Sequence, residues 1–177
     1  MTDNTLHLYH PPSTLLFFGL AGCGKSYVAD LLGRLTGWHV YHADDDITEE
    51  MKQALAEQRP FTDAMRDSYF DIVVKKILAL QQQHTHLLIT QAVYKQRHRD
   101  FLLQHIPGLE LIYVQADDAV IDQRLQARKG AVSSASAAAL RPSFELPSVD
   151  CKRLDNNGDD ADIIRQLKEY YRAPYQV

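Results

Sequence analysis

Residues Gly19-Leu20-Ala21-Gly22-Cys23-Gly24-Lys25-Ser26 spell the phosphate-binding pattern G-x-x-x-x-G-K-[S/T]. An apolar run, Thr14-Leu15-Leu16-Phe17-Phe18, precedes it and reads as a buried parallel strand. Tyr27 to Leu32 follow with apolar positions at helical spacing. The motif requires that strand–loop–helix setting. Gly19, Gly22 and Gly24 let the backbone around Cys23 curl, so that N–H groups face phosphate oxygens at the positive end of a helix that begins near Tyr27. Lys25 brings a mobile charge to the β- and γ-phosphates, and the Ser26 hydroxyl is a ligand for Mg²⁺. A nucleoside triphosphate is the expected ligand.

The remaining pattern is that of one α/β domain over residues 1–177. Strands are expected at 38–42, 87–90, 109–115 and 149–154, alternating with helices. Gly37 stops the first helix, and residues 46–49 box the start of a short one. Thr62-Asp63 cap a longer helix with an apolar stripe at Met65, Tyr69, Ile72, Val73, Ile77 and Leu80. A helix through 99–104 ends at Pro107-Gly108. Asp117 caps the helix carrying Val120, Ile121 and Leu125, and residues 160–171 form a closing amphipathic helix. Repeated βα units imply a three-layer fold: a five-stranded parallel sheet with helices on both faces. A long segment at 129–147, with an Ala/Ser-rich patch at 131–139, is expected to be a mobile lid. Residues 45–83 would hold the acceptor-binding helices.

A formal charge of -4 gives no basic face for nucleic acid. Two cysteines, Cys23 and Cys151, give neither a disulfide framework nor a zinc spacing. No apolar run is long enough for a membrane, and residues 1–12 lack the order of a signal peptide, so a cytoplasmic location is expected. The histidines show no metal-ligand spacing.

Strands three and four end without an acid, whereas strand two runs into Ala43-Asp44-Asp45-Asp46. Ligands gather at the carboxyl ends of parallel strands, and a carboxylate there can accept the proton of an attacking hydroxyl. That is the layout of a small-molecule kinase. Asp44 is the candidate base, with a helix N-cap as the alternative; Asp45 and Asp46 read as cap and solvated surface.

From about 15 to 167 the chain resembles the gluconate kinase group of small P-loop kinases, relatives of shikimate kinase and the nucleoside monophosphate kinases. Asp44 follows strand two where the group has a substrate-binding acid. Phe61-Thr62-Asp63-Ala64-Met65-Arg66-Asp67 is similar to its Leu-Asn-Asp-x-Asp-Arg stretch. Ala92-Val93-Tyr94-Lys95 with His98-Arg99-Asp100 is similar to Ser-Ala-Leu-Lys with Tyr-Arg-Asp. Residues 123–130 are close to its Glu-Arg-Leu-x-x-Arg-Lys-Gly, and Pro142-Ser143-Phe144-Glu145 to its Ser-Gln-Phe.

The departures fall on the acceptor side. His42-Ala43-Asp44 replaces Asp-Gly-Asp, Ala92 replaces a serine, and Ala131-Val132 replace a His-Phe pair. The resemblance implies that Arg124 stacks on adenine and Arg128 touches the phosphates, a mobile cation arriving on closure; the alternative is a pair of solvated-helix arginines. Arg66, Lys95 and Arg99 are candidate grips for acceptor oxygens. Arg66 alternatively pairs with Asp63 or Asp67, and Lys95 and Arg99 are alternatively a solvated helical face. The expected reaction moves the γ-phosphoryl group of ATP to a hydroxyl of a small metabolite, a sugar acid such as gluconate. Another acceptor (a nucleoside or an antibiotic), or a nucleotide-binding regulator without turnover, stays open. So does a homodimer.

Overall fold

A computed structural model describes residues 5–128, 137–138 and 140–174. Strand β1 (Thr14–Phe18) is buried along its whole length, as a run of five apolar-rich residues covered on both faces should be. It lies at the centre of a five-stranded, all-parallel sheet in the order β2-β3-β1-β4-β5, with β2 at His39–His42, β3 at Leu87–Thr90, β4 at Leu109–Gln115 and β5 at Lys152–Asp155. Phe17 sits level with Thr90, the last residue of β3, and with Ile112 of β4, which runs on to Gln115.

Alternation along β1 divides the core. Leu15 and Phe17 face one layer with Val28, Ala29 and Leu32 of helix α1 (Lys25–Thr36) and with Ile163 and Leu167 of the last helix, α6 (Asp160–Tyr170). Leu16 and Phe18 face the other layer, with Tyr69, Val73 and Ile77 of α3 (Asp63–Gln81) and Leu102 of α4 (Gln96–His105). Helices α2 (Glu49–Ala56) and α5 (Asp118–Ala127) complete the described set.

Local chemistry explains the ends. Thr48 and Thr62 are N-caps whose side chains accept from the backbone of Met51 and Met65. Gly37 ends α1 in the left-handed conformation, φ 78°. The five-strand sheet and its order of elements match the sequence expectation. Three details differ. Strand β5 starts at Lys152, and Val149 is 90% exposed, because the expected strand at 149–154 begins in a turn. Ile72 points to solvent, and Phe70 and Val74 take its place in the core of α3. Asp46 is not merely solvated; it accepts from Tyr41 Oη at 2.6 Å. Residues 129–136 and 139 of the expected lid at 129–147 lie outside the described residues, and with them the Ala131-Val132 departure and most of the Ala/Ser-rich patch. No described helix is long and apolar enough to cross a membrane.

Candidate active site

The loop between β1 and α1 is shaped by close approach. A Cβ on Gly19 would stand 2.3 Å from the Val114 carbonyl oxygen, and one on Gly24 would stand 2.1 Å from Asn156 Nδ2. Gly24, at φ 92°, is also the N-cap of α1, so the first N–H groups of that helix open into the loop. Lys25 is buried and its ammonium donates to Leu20 O at 3.0 Å, across the loop.

Behind the loop, two side chains hold its outer carbonyls. Asn156 Nδ2 donates to Cys23 O at 2.9 Å. Arg124 donates to Cys23 O at 3.1 Å and to Asn156 O at 2.7 Å. Both belong to a second hollow with Gly24, Tyr27 and residues 158–161 at the start of α6, on the outer side of the loop. Tyr27, on the wall of this hollow, donates to Asp160.

In front of the loop is a cavity of about 260 Å³. Its polar lining is Gly22, Gly24, Lys25, Ser26, Asp44, Gln91 and Arg128; Ile47, Leu55, Phe61, Tyr94 and Leu140 supply the apolar side. Asp44 reaches it from a 3₁₀ turn, Ala43–Asp46, at the carboxyl end of β2. Gln91, one residue past β3, uses its whole amide there. Its nitrogen donates to Asp44 Oδ1 at 3.0 Å and to Tyr69 Oη at 2.5 Å, and its oxygen accepts from Ala92 N–H at 2.5 Å. Tyr69 Oη in turn donates a hydrogen bond to Ala43 O, fixing the turn that carries Asp44.

The remaining expected residues divide. Arg128 lines the same cavity as Lys25 and Asp44. Arg66 is buried behind Tyr94, its guanidinium 5.7 Å from that ring and 3.7 Å from Asp63. Its Nη2 has no partner among the described residues, and burial pushes its pKa down. Lys95 is the N-cap of α4 rather than a residue on its face, so it does not share a helical stripe with Arg99. Arg99 is 1% exposed, and its donors go to Val93 O, Tyr94 O, Glu145 O and Gln96. Phe18 and Phe144 sandwich it. Its hydrogen-bonding capacity is spent inside the chain, and neither the acceptor-grip nor the solvated-face reading fits. His42, in place of the family acid, joins Thr90 at 2.7 Å to Asp30 of α1 at 2.9 Å and does not line the cavity.

Mg²⁺ fits this donor set. Ser26 offers a hydroxyl to the cavity that Asp44 also lines, and no trio of His, Cys, Asp or Glu forms a protein cage among the described residues. Such a cation would be held largely by phosphates and water.

Residues 15–137 match the AAA domain family. The chain belongs to it. Within that P-loop family it is similar to the thermoresistant gluconokinase of Escherichia coli K12, at 29% identity over 73% of this chain and 70% of the relative. It is also similar to the gluconokinase of Gluconobacter oxydans 621H, at 25% identity over 93% and 88%. In fold it follows a gluconokinase from Sinorhizobium meliloti 1021, with a TM-score of 0.75, 20% identity, and coverage of 89% and 90%. The sequence resemblance to gluconate kinase-like P-loop kinases therefore stands, and a nucleotide ligand with it.

Proposed function

We propose that the protein is a kinase that transfers the γ-phosphoryl group of ATP to a hydroxyl of a sugar acid, gluconate being the acceptor its relatives' names suggest. The observation that carries this reading is one cavity in which Lys25, Ser26, Asp44 and Arg128 converge. Triphosphate would lie along the loop, its base in the hollow of Tyr27 and Arg124. Ser26 would hold Mg²⁺, which screens charge on the β,γ-phosphates. Asp44 would receive the proton of the acceptor hydroxyl as its oxygen bonds to phosphorus and the bond to the ADP oxygen breaks. Lys25 and Arg128 would stabilise the charge gathered on the transferring group. Little covalent work falls to the chain; its task is alignment. A cytoplasmic setting suits such a metabolite.

The test is ADP release with ATP, Mg²⁺ and a panel of hydroxylated metabolites. Gluconate-dependent release, abolished in Lys25→Ala, is expected; release indifferent to every sugar acid would refute the assignment. The apolar walls at Ile47, Leu55, Phe61 and Leu140 favour a second reading, an acceptor less hydroxylated than gluconate. The same panel separates the two.

A further inference from the structure

Tyr94 stands at the bend between β3 and α4, and the backbone is strained to hold it there. Val93, a β-branched residue, sits at φ 43°, in the left-handed region such side chains avoid. Arg99 secures the strained bend from below, donating to Val93 O at 2.9 Å and to Tyr94 O at 3.2 Å. Glu145 N–H also donates to Tyr94 O, at 2.8 Å. The ring meets Phe144 nearly edge-on, with centroids 5.5 Å apart. Backbone and ring are thus fixed before any ligand arrives.

Tyr94 is only 7% exposed and lines the cavity. Its hydroxyl makes no hydrogen bond to a described residue, which leaves it free to meet a ligand. Burial and the Asp44 charge push its pKa up to about 12, against the opposing pull of Arg66 and Arg141. The phenol therefore keeps its proton and can donate. Two residues earlier, Ala92 brings no hydroxyl to the same wall.

We infer that Tyr94 is a specificity-determining residue of the acceptor site, its hydroxyl donating to an acceptor oxygen other than the one that is phosphorylated. The inference rests on the kinase reading above. Two cations, Arg66 (5.7 Å from the ring and ion-paired to Asp63) and Arg141, act on Tyr94 against the charge of Asp44. The oxygen that Tyr94 meets accordingly belongs to an acidic group. The acceptor class is a small hydroxylated anion, hydroxyl toward Asp44 and acid toward Tyr94, with the apolar walls excluding bulky polar branches.

Tyr94→Phe removes one oxygen and keeps the ring, its contact with Phe144 and its stack with Arg66. In the ADP-release assay the acceptor KM should rise about tenfold, the loss of one charge-assisted bond. The KM for ATP and the melting temperature should stay as in the parent. An unchanged acceptor KM overturns the inference, and so does a fall in kcat alone. If gluconate is inert but another alcohol drives release, the sugar-acid reading fails and Tyr94→Phe is judged on that alcohol. If no acceptor drives release from the parent protein, the kinase reading and this inference fall together.

Discussion

The side-chain amide of Gln91 donates to the Asp44 carboxylate across 3.0 Å, tying the carboxyl end of β3 to that of β2. The same nitrogen also donates to Tyr69, whose hydroxyl in turn holds the Ala43 carbonyl. Asp44, on an exposed turn, is therefore aimed by buried neighbours rather than by its own backbone alone. A carboxylate left to rotate would sample positions outside reach of an acceptor hydroxyl, and misplacement of a reacting group is costly.

Replacing Asp44 by Asn keeps the shape and removes the proton acceptor. Turnover should fall by roughly 10²–10⁴-fold, with ATP affinity changed by less than about twofold. Gln91→Leu should lower kcat by roughly tenfold and leave the ATP KM alone, because it releases Asp44, Tyr69 and Ala92 N–H but makes no contact with the phosphate loop. Steady-state kinetics on both variants checks the pair; near-normal turnover in Asp44→Asn would remove it from the chemistry.

The phosphate loop has a separate weak point. Gly24 combines a left-handed φ of 92° with a Cβ position 2.1 Å from Asn156 Nδ2. Gly24→Ala must displace Asn156, which also holds Cys23 O, so the loop carbonyls lose one of their two restraints. Binding of a fluorescent ATP analogue should weaken by at least about tenfold. Asn156→Ala should weaken it less, since Arg124 still grips Cys23 O. Parent-like affinity in Gly24→Ala would contradict the geometry of the loop.

Arg99 was a candidate acceptor grip in the sequence, and the fold gives it a different task. Its removal in Arg99→Met leaves the Val93 and Tyr94 carbonyls with fewer donors in a buried bend. The expected cost is about 2–4 kcal/mol, a drop in melting temperature of several degrees for a chain of this size. Arg99→Lys should not restore it, because one ammonium cannot span the carbonyls that the guanidinium fork reaches. A thermally intact variant with a selectively raised acceptor KM would return Arg99 to the substrate site.

What the sequence made legible and what it hid follow from range. The phosphate loop could be read because its eight residues act on one another locally, and Asp44 because strand ends in parallel sheets collect ligands. Arg99 could not be separated from a surface arginine, since its acceptors come from 93–94 and 145. Gln91 and Asn156 lie at strand ends too, beyond β3 and β5, and that position was their only signal. Neither residue type is tied to the chemistry, and their partners are 47 and 133 residues away. Val93 was invisible for a different reason: β-branched residues read as extended, and a left-handed valine emerges only when tertiary contacts hold it.

The pH dependence of stability should carry the mark of His98. It is 3% exposed on α4, with Nε2 at 2.8 Å from Asp67 and no partner for Nδ1 among the described residues. Burial pushes its pKa below the ordinary 6.5, outweighing the hydrogen bond to Asp67; Arg97 and Arg66 add to the depression. As pH falls through 6.5 the unfolded chain takes up a proton that the folded chain refuses, so the unfolded state gains. Stability is therefore full above 6.5 and declines below it. Asp67, held low by His98 and Arg97, acts with the same sign but only below its ordinary 3.8. Melting followed by circular dichroism from about pH 7.5 to about 5.5 should show a loss of a few degrees. His98→Gln should flatten that slope even if it lowers the melting temperature throughout. A parent slope that is flat or reversed over this interval would mean that His98 is charged in the folded state, with Asp67 rather than burial deciding its protonation.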